Sequence, residues 1–101
     1  MEKRRPTYDL EAIKLAIGSL EALAITTTAL RDATKLGFDR GGIVETIARI
    51  ERRMFFKSMT TFADSHVWQD VYHVPVRGLT LYVKFQADVV TEFRVMSFKE
   101  K

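Results

Sequence analysis

Residues 79–86 read Leu-Thr-Leu-Tyr-Val-Lys-Phe-Gln (LTLYVKFQ), with Leu79, Leu81, Val83 and Phe85 alternating with Thr80, Tyr82, Lys84 and Gln86. Side chains on a strand point to opposite faces with a period of two. The stretch therefore predicts a strand with one apolar face on a core and one polar face left open. The same period runs through MFFKSMTT (54–61), HVWQDVYHV (66–74) and VVTEFRVMSFK (89–99). ADS, PVRG and AD separate these four strand candidates, and Pro75 with Gly78 marks the second turn.

Upstream of Met54 the spacing becomes helical. Leu10, Ile13, Ile17 and Leu20 share one face, Asp9 is placed to cap it, and Gly18 weakens its end. Leu23–Thr26 is short and β-prone, in keeping with an edge strand. Thr28 can cap a second helix through Leu30, Ala33 and Leu36, which Gly37 stops. Asp39 can cap a third, with Ile43, Ile47 and Ile50 inward and Glu45 paired to Arg49 outside. The expected fold class is α+β: one domain, 1–101, with three N-terminal helices packed on a mainly antiparallel, twisted β-sheet.

Composition narrows the function. Of 101 residues, 47% are hydrophobic and 29% charged, the balance of a globular chain, and no cysteine is present for a disulfide, a thiolate metal site or a thiol nucleophile. The basic start MEKRRP is followed by no apolar run, and no stretch approaches a membrane span, so a cytoplasmic protein is expected. The net charge of +3 is modest, but Arg49, Arg52, Arg53 and Lys57 cluster, and Lys84, Arg94, Lys99 and Lys101 fill the last third. Basic residues among aromatics suit an anionic partner such as nucleic acid, although a solvated surface has the same composition.

Several chemistries are excluded. No phosphate loop, dinucleotide fingerprint or serine-hydrolase elbow occurs. His66 and His73, seven apart, would lie on opposite faces of one strand, and no ligand set for a metal or other cofactor is legible. What remains is a basic, aromatic, amide-bearing sheet face able to hold single-stranded nucleic acid. RNA carries its own nucleophile, the 2′-hydroxyl, so Lys, Arg, Tyr and His suffice for a ribonuclease that positions the backbone, moves protons and stabilises charge. From residues alone three classes stay open: a metal-free ribonuclease, a non-catalytic nucleic-acid-binding or regulatory module, and an interaction domain.

Three words carry a further signal: Lys57-Ser58-Met59-Thr60-Thr61, Trp68-Gln69-Asp70-Val71-Tyr72 and Ser97-Phe98-Lys99-Glu100-Lys101. With MEKRRP, LRDATKLGF and LYVK, they resemble the motility quorum-sensing regulator (MqsR) toxins, ribonuclease partners in bacterial type II toxin–antitoxin pairs. The resemblance implies a RelE-like fold and cleavage of mRNA at sites built around GC, suppressing translation and growth. It also implies a cognate antitoxin with a zinc-binding domain and a helix-turn-helix domain, assembling into a higher-order complex through the antitoxin dimer. It marks Lys57, Gln69, Tyr82 and Lys99 as catalytic. Lys84, Arg53 and His73 join them as expected RNA contacts from their charge and position. The chain departs from the family at Phe56 and Phe62, where Tyr is common, and at Ser65, which separates His66 from the preceding Asp. Trp68 alternates with Gln69 and is expected to pack on the opposite face.

Overall fold

A computed structural model describes residues 1–101. Its elements are β1 (Glu2–Lys3), α1 (Leu10–Ile17), α2 (Thr27–Lys35), α3 (Arg40–Arg49), a single 3₁₀ turn at Arg52–Met54, β2 (Phe55–Thr60), β3 (Trp68–Val76), β4 (Leu79–Asp88) and β5 (Glu92–Glu100). The strands form one antiparallel sheet in the order β1-β2-β3-β4-β5, so the α+β expectation holds, with five strands rather than four. No helix is long and apolar enough to cross a membrane.

The helices begin where short polar side chains satisfy free backbone N–H groups. Asp9 accepts from the Glu11 N–H at 3.1 Å, and Asp39 from the Gly42 N–H at 2.7 Å. The second cap is Thr26, accepting from the Ala29 N–H at 3.1 Å, and not Thr28, which lies inside the helix. Gly37, at φ +90°, lets the chain turn out of α2, and Phe38 tucks under it to meet Phe98 edge-on at 5.1 Å. Leu20 was expected inward but is exposed, because α1 stops at Ile17. The expected Glu45–Arg49 pair does not form, consistent with the small value of exposed ion pairs.

One core joins the layers. Leu10, Ile13 and Ile17 of α1, Ala29 and Ala33 of α2, and Ile43, Ile47 and Ile50 of and after α3 pack on Tyr72, Val74, Leu81, Val83, Phe85, Val95 and Phe98. The alternation of LTLYVKFQ decides this: Leu81, Val83 and Phe85 are fully buried, while Tyr82, Lys84 and Gln86 are not. Tyr72 sits in this core against Phe55 and Phe85, and its buried hydroxyl has no hydrogen-bond partner. Burial pushes that hydroxyl up to about 12. An unpaired buried hydroxyl costs about 1–3 kcal/mol, so Tyr72→Phe should leave the urea midpoint unchanged or raise it. A clear drop would show that the hydroxyl contributes to stability.

The connections correct four further expectations. Pro75 lies within β3, opposite Thr80, and the chain reverses in two residues, Arg77 (φ 52°) and Gly78 (φ 75°). Two positive φ angles match the twist of the flanking strands, which is why this short turn is favoured. Val89, Val90 and Thr91 were read as strand but form the β4–β5 turn. There the Asp88 carboxylate accepts from the N–H groups of Val90 (3.1 Å) and Thr91 (3.0 Å) and from the Thr91 hydroxyl (2.9 Å). His66 lies in the β2–β3 loop beside Asp64, so the two histidines do not share a strand. Leu23–Thr26 contributes only a parallel bridge from Ile25 to Val95 at the sheet edge.

The Thr91 hydrogen bonds, chiefly that of its N–H, hold the Asp88 carboxyl down from 3.8 to about 2. A depressed folded-state pKa stabilises above the unfolded value and ceases to as pH falls through the folded one. The Asp88 contribution is thus complete above pH 3.8 and disappears through pH 2. Denaturation midpoints of Asp88→Asn should therefore fall less steeply than wild type across that window. Parallel pH profiles would remove Asp88 from the acid response.

Candidate functional site

The helices cover one sheet face and leave the other open. Strand register shows what the open face carries. Lys57 lies opposite Val71, Gln69 opposite Gln86, His73 opposite Tyr82, Tyr82 opposite Lys99, and Lys84 between Val71 and Ser97. Four strands thus bring Lys57, Gln69, His73, Tyr82, Lys84 and Lys99 to one surface. Of the expected site residues only Arg53 is set apart, in the 3₁₀ turn, where its guanidinium pairs with Glu51.

Each side chain has a defined setting. The Lys99 ammonium sits 5.4 Å from the centre of the Tyr82 ring, and the His73 ring 6.2 Å from it. A bulge between Phe55 and Lys57 places Phe56 on this face as an extra residue, where it stacks on His73 at 4.2 Å. The Gln69 carboxamide donates to Gln86 at 2.8 Å and is only 8% exposed, so its orientation is fixed by the neighbouring strand. Val71 is fully buried yet outside the core cluster, as expected when the flanking stems of Lys57 and Lys84 lie over it. Trp68 takes the opposite face from Gln69, with the Lys3 ammonium 4.2 Å from its ring.

Burial and charge tune the titrating groups. Burial pushes the Tyr82 hydroxyl up, opposed by Lys57 and assisted by Glu2. Burial also pushes His73 down, as do the charges of Lys101 and Lys57. Lys84 is pushed down by burial and by Lys99. No cluster of three or more His, Asp or Glu is placed to hold a metal ion. The two concave pockets, each about 440 Å³, lie elsewhere, one around Tyr8, Lys14 and Arg52 and the other around Leu30 and Phe38. A shallow, cationic, aromatic face suits an extended anionic polymer better than a small enclosed ligand.

Sequence reasoning missed two residues. Glu2, on β1, pairs with the Lys57 ammonium, and this contact holds its carboxyl below the usual range. Asp70, fully buried, accepts from the N–H groups of Thr7 (3.0 and 3.1 Å) and Tyr8 (2.9 Å). The Thr7 and Ser58 hydroxyls are bonded at 2.7 Å, and the Tyr8 hydroxyl donates to the Trp68 carbonyl at 2.7 Å. Strand alternation therefore divides each motif: Lys57 and Gln69 reach the open face, while Ser58 and Asp70 hold residues 7–8 against the sheet. A hint lay in the sequence, since an Asp between Gln and Val inside a strand needs donors once buried.

A helix-backed antiparallel sheet with a lysine-rich open face defines a small α+β domain. Comparison with known proteins gives the family. Residues 5–100 match the family described as "Motility quorum-sensing regulator, toxin of MqsA". The chain is also 37% identical over 101 residues, covering all of both chains, to the "mRNA interferase toxin MqsR" of Escherichia coli (strain K12). The chain belongs to the MqsR toxin family.

Proposed function

We infer that this chain is the toxin of a type II toxin–antitoxin system and an endoribonuclease that cleaves mRNA. The observation that carries this is the convergence of Lys57, Gln69, Tyr82, Lys84 and Lys99 on one open face from four strands. The RNA backbone lies along this face, with the 2′-hydroxyl attacking the adjacent phosphate. Lys57 and Lys99 neutralise the charge that builds on the phosphoryl oxygens. Tyr82, whose hydroxyl is pushed up by burial, takes part in proton transfer. Gln69, oriented by Gln86, positions the backbone or reads a base edge, and Lys84 and His73 contact the RNA. Arg53 guides RNA towards the sheet from its end. The sites cut are built around GC, as the resemblance to the family implies.

The partner is an antitoxin that carries a zinc-binding domain and a helix-turn-helix domain, and its dimer brings the toxins into a higher-order complex. The activity is cytoplasmic, where mRNA is the substrate. Inducing the gene without its antitoxin neighbour should arrest growth and create new RNA 5′ ends, mapped across the transcriptome, at GC-containing sites. Normal growth with no new ends would overturn the ribonuclease reading. New ends lacking a shared GC element would remove the sequence preference alone.

A further inference from the structure

The cleavage reaction needs a group to accept the 2′-hydroxyl proton, and the four catalytic side chains named above do not provide a good one. Lys57 and Lys99 serve as cations, Gln69 does not titrate in water, and Tyr82 holds its proton. The other titratable groups on the face are Lys84, Glu2, His73 and Lys101, with Arg94 and Asp88 paired to each other at its far end, and Lys101 acts on His73 as a cation. Lys84 is pushed down, but from 10.5, against 6.5 for imidazole. Glu2 is ionised but engaged by Lys57, which weakens it as a base.

Resting on the ribonuclease reading, we propose that His73 is the general base of the cleavage step and that Tyr82, opposite it on the neighbouring strand, is the general acid. A ring nitrogen of His73 takes the 2′-hydroxyl proton as the 2′-oxygen bonds to phosphorus. The bond from phosphorus to the 5′-oxygen breaks, and that oxygen receives the Tyr82 proton. The products are a 2′,3′-cyclic phosphate and a 5′-hydroxyl, and solvent returns the proton from imidazolium to phenolate.

Geometry supports the pairing. His73 and Tyr82 are register partners on the open face, with rings 6.2 Å apart and tilted by 41°. That spacing allows both to reach opposite sides of one phosphodiester. Stacking on Phe56 at 4.2 Å fixes the plane of the imidazole. The charged groups around His73 are Lys57 from β2, with Glu2 of β1 attached to it, and Lys101 beyond β5. Burial and the two lysines push His73 towards the neutral ring, and burial pushes the Tyr82 hydroxyl towards its protonated form. Two adjacent groups pushed in opposite directions are the pattern of an assigned base and acid.

The test is a pH profile of kcat and kcat/KM on a defined RNA oligonucleotide, for wild type, His73→Phe and His73→Ala. His73→Phe keeps a ring on Phe56 but has no basic nitrogen. Wild type should show an acid limb with a midpoint below 6.5, the ordinary imidazole value. His73→Phe should lose that limb and drop about 10²-fold or more in kcat, with little change in KM. Added imidazole should restore part of the His73→Ala rate. If His73→Phe keeps the wild-type plateau and acid limb, the base assignment is overturned while the ribonuclease reading stands. If wild type cleaves no RNA, the reading beneath it fails as well. Should His73→Phe fold poorly, a His73→Ala enzyme that imidazole does not rescue would overturn the proposal.

Discussion

Asp70→Ala is expected to destabilise the protein by about 2–4 kcal/mol, the largest stability effect of any polar substitution in the sheet. The Asp70 carboxylate is fully buried and takes three hydrogen bonds from the Thr7 and Tyr8 backbone. Truncation removes a charged acceptor and leaves two N–H groups facing a cavity, each carrying a desolvation penalty. Asp70→Asn keeps the shape but offers one carbonyl oxygen for two donors, so a loss of about 1–2 kcal/mol is expected. The urea midpoint, read with its slope, measures both. An unchanged midpoint in Asp70→Ala would mean that residues 7–8 are held by other contacts. The same clamp supports the strand that presents Glu2 to Lys57, so stability and site geometry meet at one buried carboxylate.

The largest effect on activity is expected at Tyr82 and Lys57. Tyr82→Phe removes one hydroxyl, and kcat should fall about 10²–10⁴-fold, the range for loss of a positioned proton donor. Lys57→Ala should cost about 10²–10³-fold, as when one charge-stabilising donor is lost from a transition state. Both side chains lie on the open face, away from the helical core, so both variants should fold. Single-turnover cleavage of an RNA oligonucleotide reads the rate, and the urea midpoint checks the fold. A fully active Tyr82→Phe would remove Tyr82 from proton transfer. A Lys57→Ala variant with raised KM and unchanged kcat would make Lys57 a binding residue only.

Much of this was open to reading from one dimension. The alternation in LTLYVKFQ assigns Leu81, Val83 and Phe85 to the core and Tyr82 and Lys84 to the open face, and the structure agrees. Asp9 and Asp39 are caps because a short acceptor before an apolar period satisfies free N–H groups locally. Where local preference met a competing turn, reading failed. Val89 and Val90 favour strand, but Asp88 gathers the turn donors and Glu92 adopts φ 71°. Thr26 displaced Thr28 as cap by a choice of two residues that propensity does not resolve.

Sequence by itself determined the helical period of α1 to α3, the two faces of β4, the absence of thiol chemistry and the motif words that mark the family. Tertiary structure alone decided that Glu2–Lys3 is a strand, that Glu2 meets Lys57, and that Asp70 holds residues 7–8. These contacts join groups 55 to 63 positions apart. Their geometry follows from sheet order and register, which no local pattern encodes. A two-residue strand has no stability of its own and exists only because β2 pairs with it and a buried carboxylate fixes the chain beyond it.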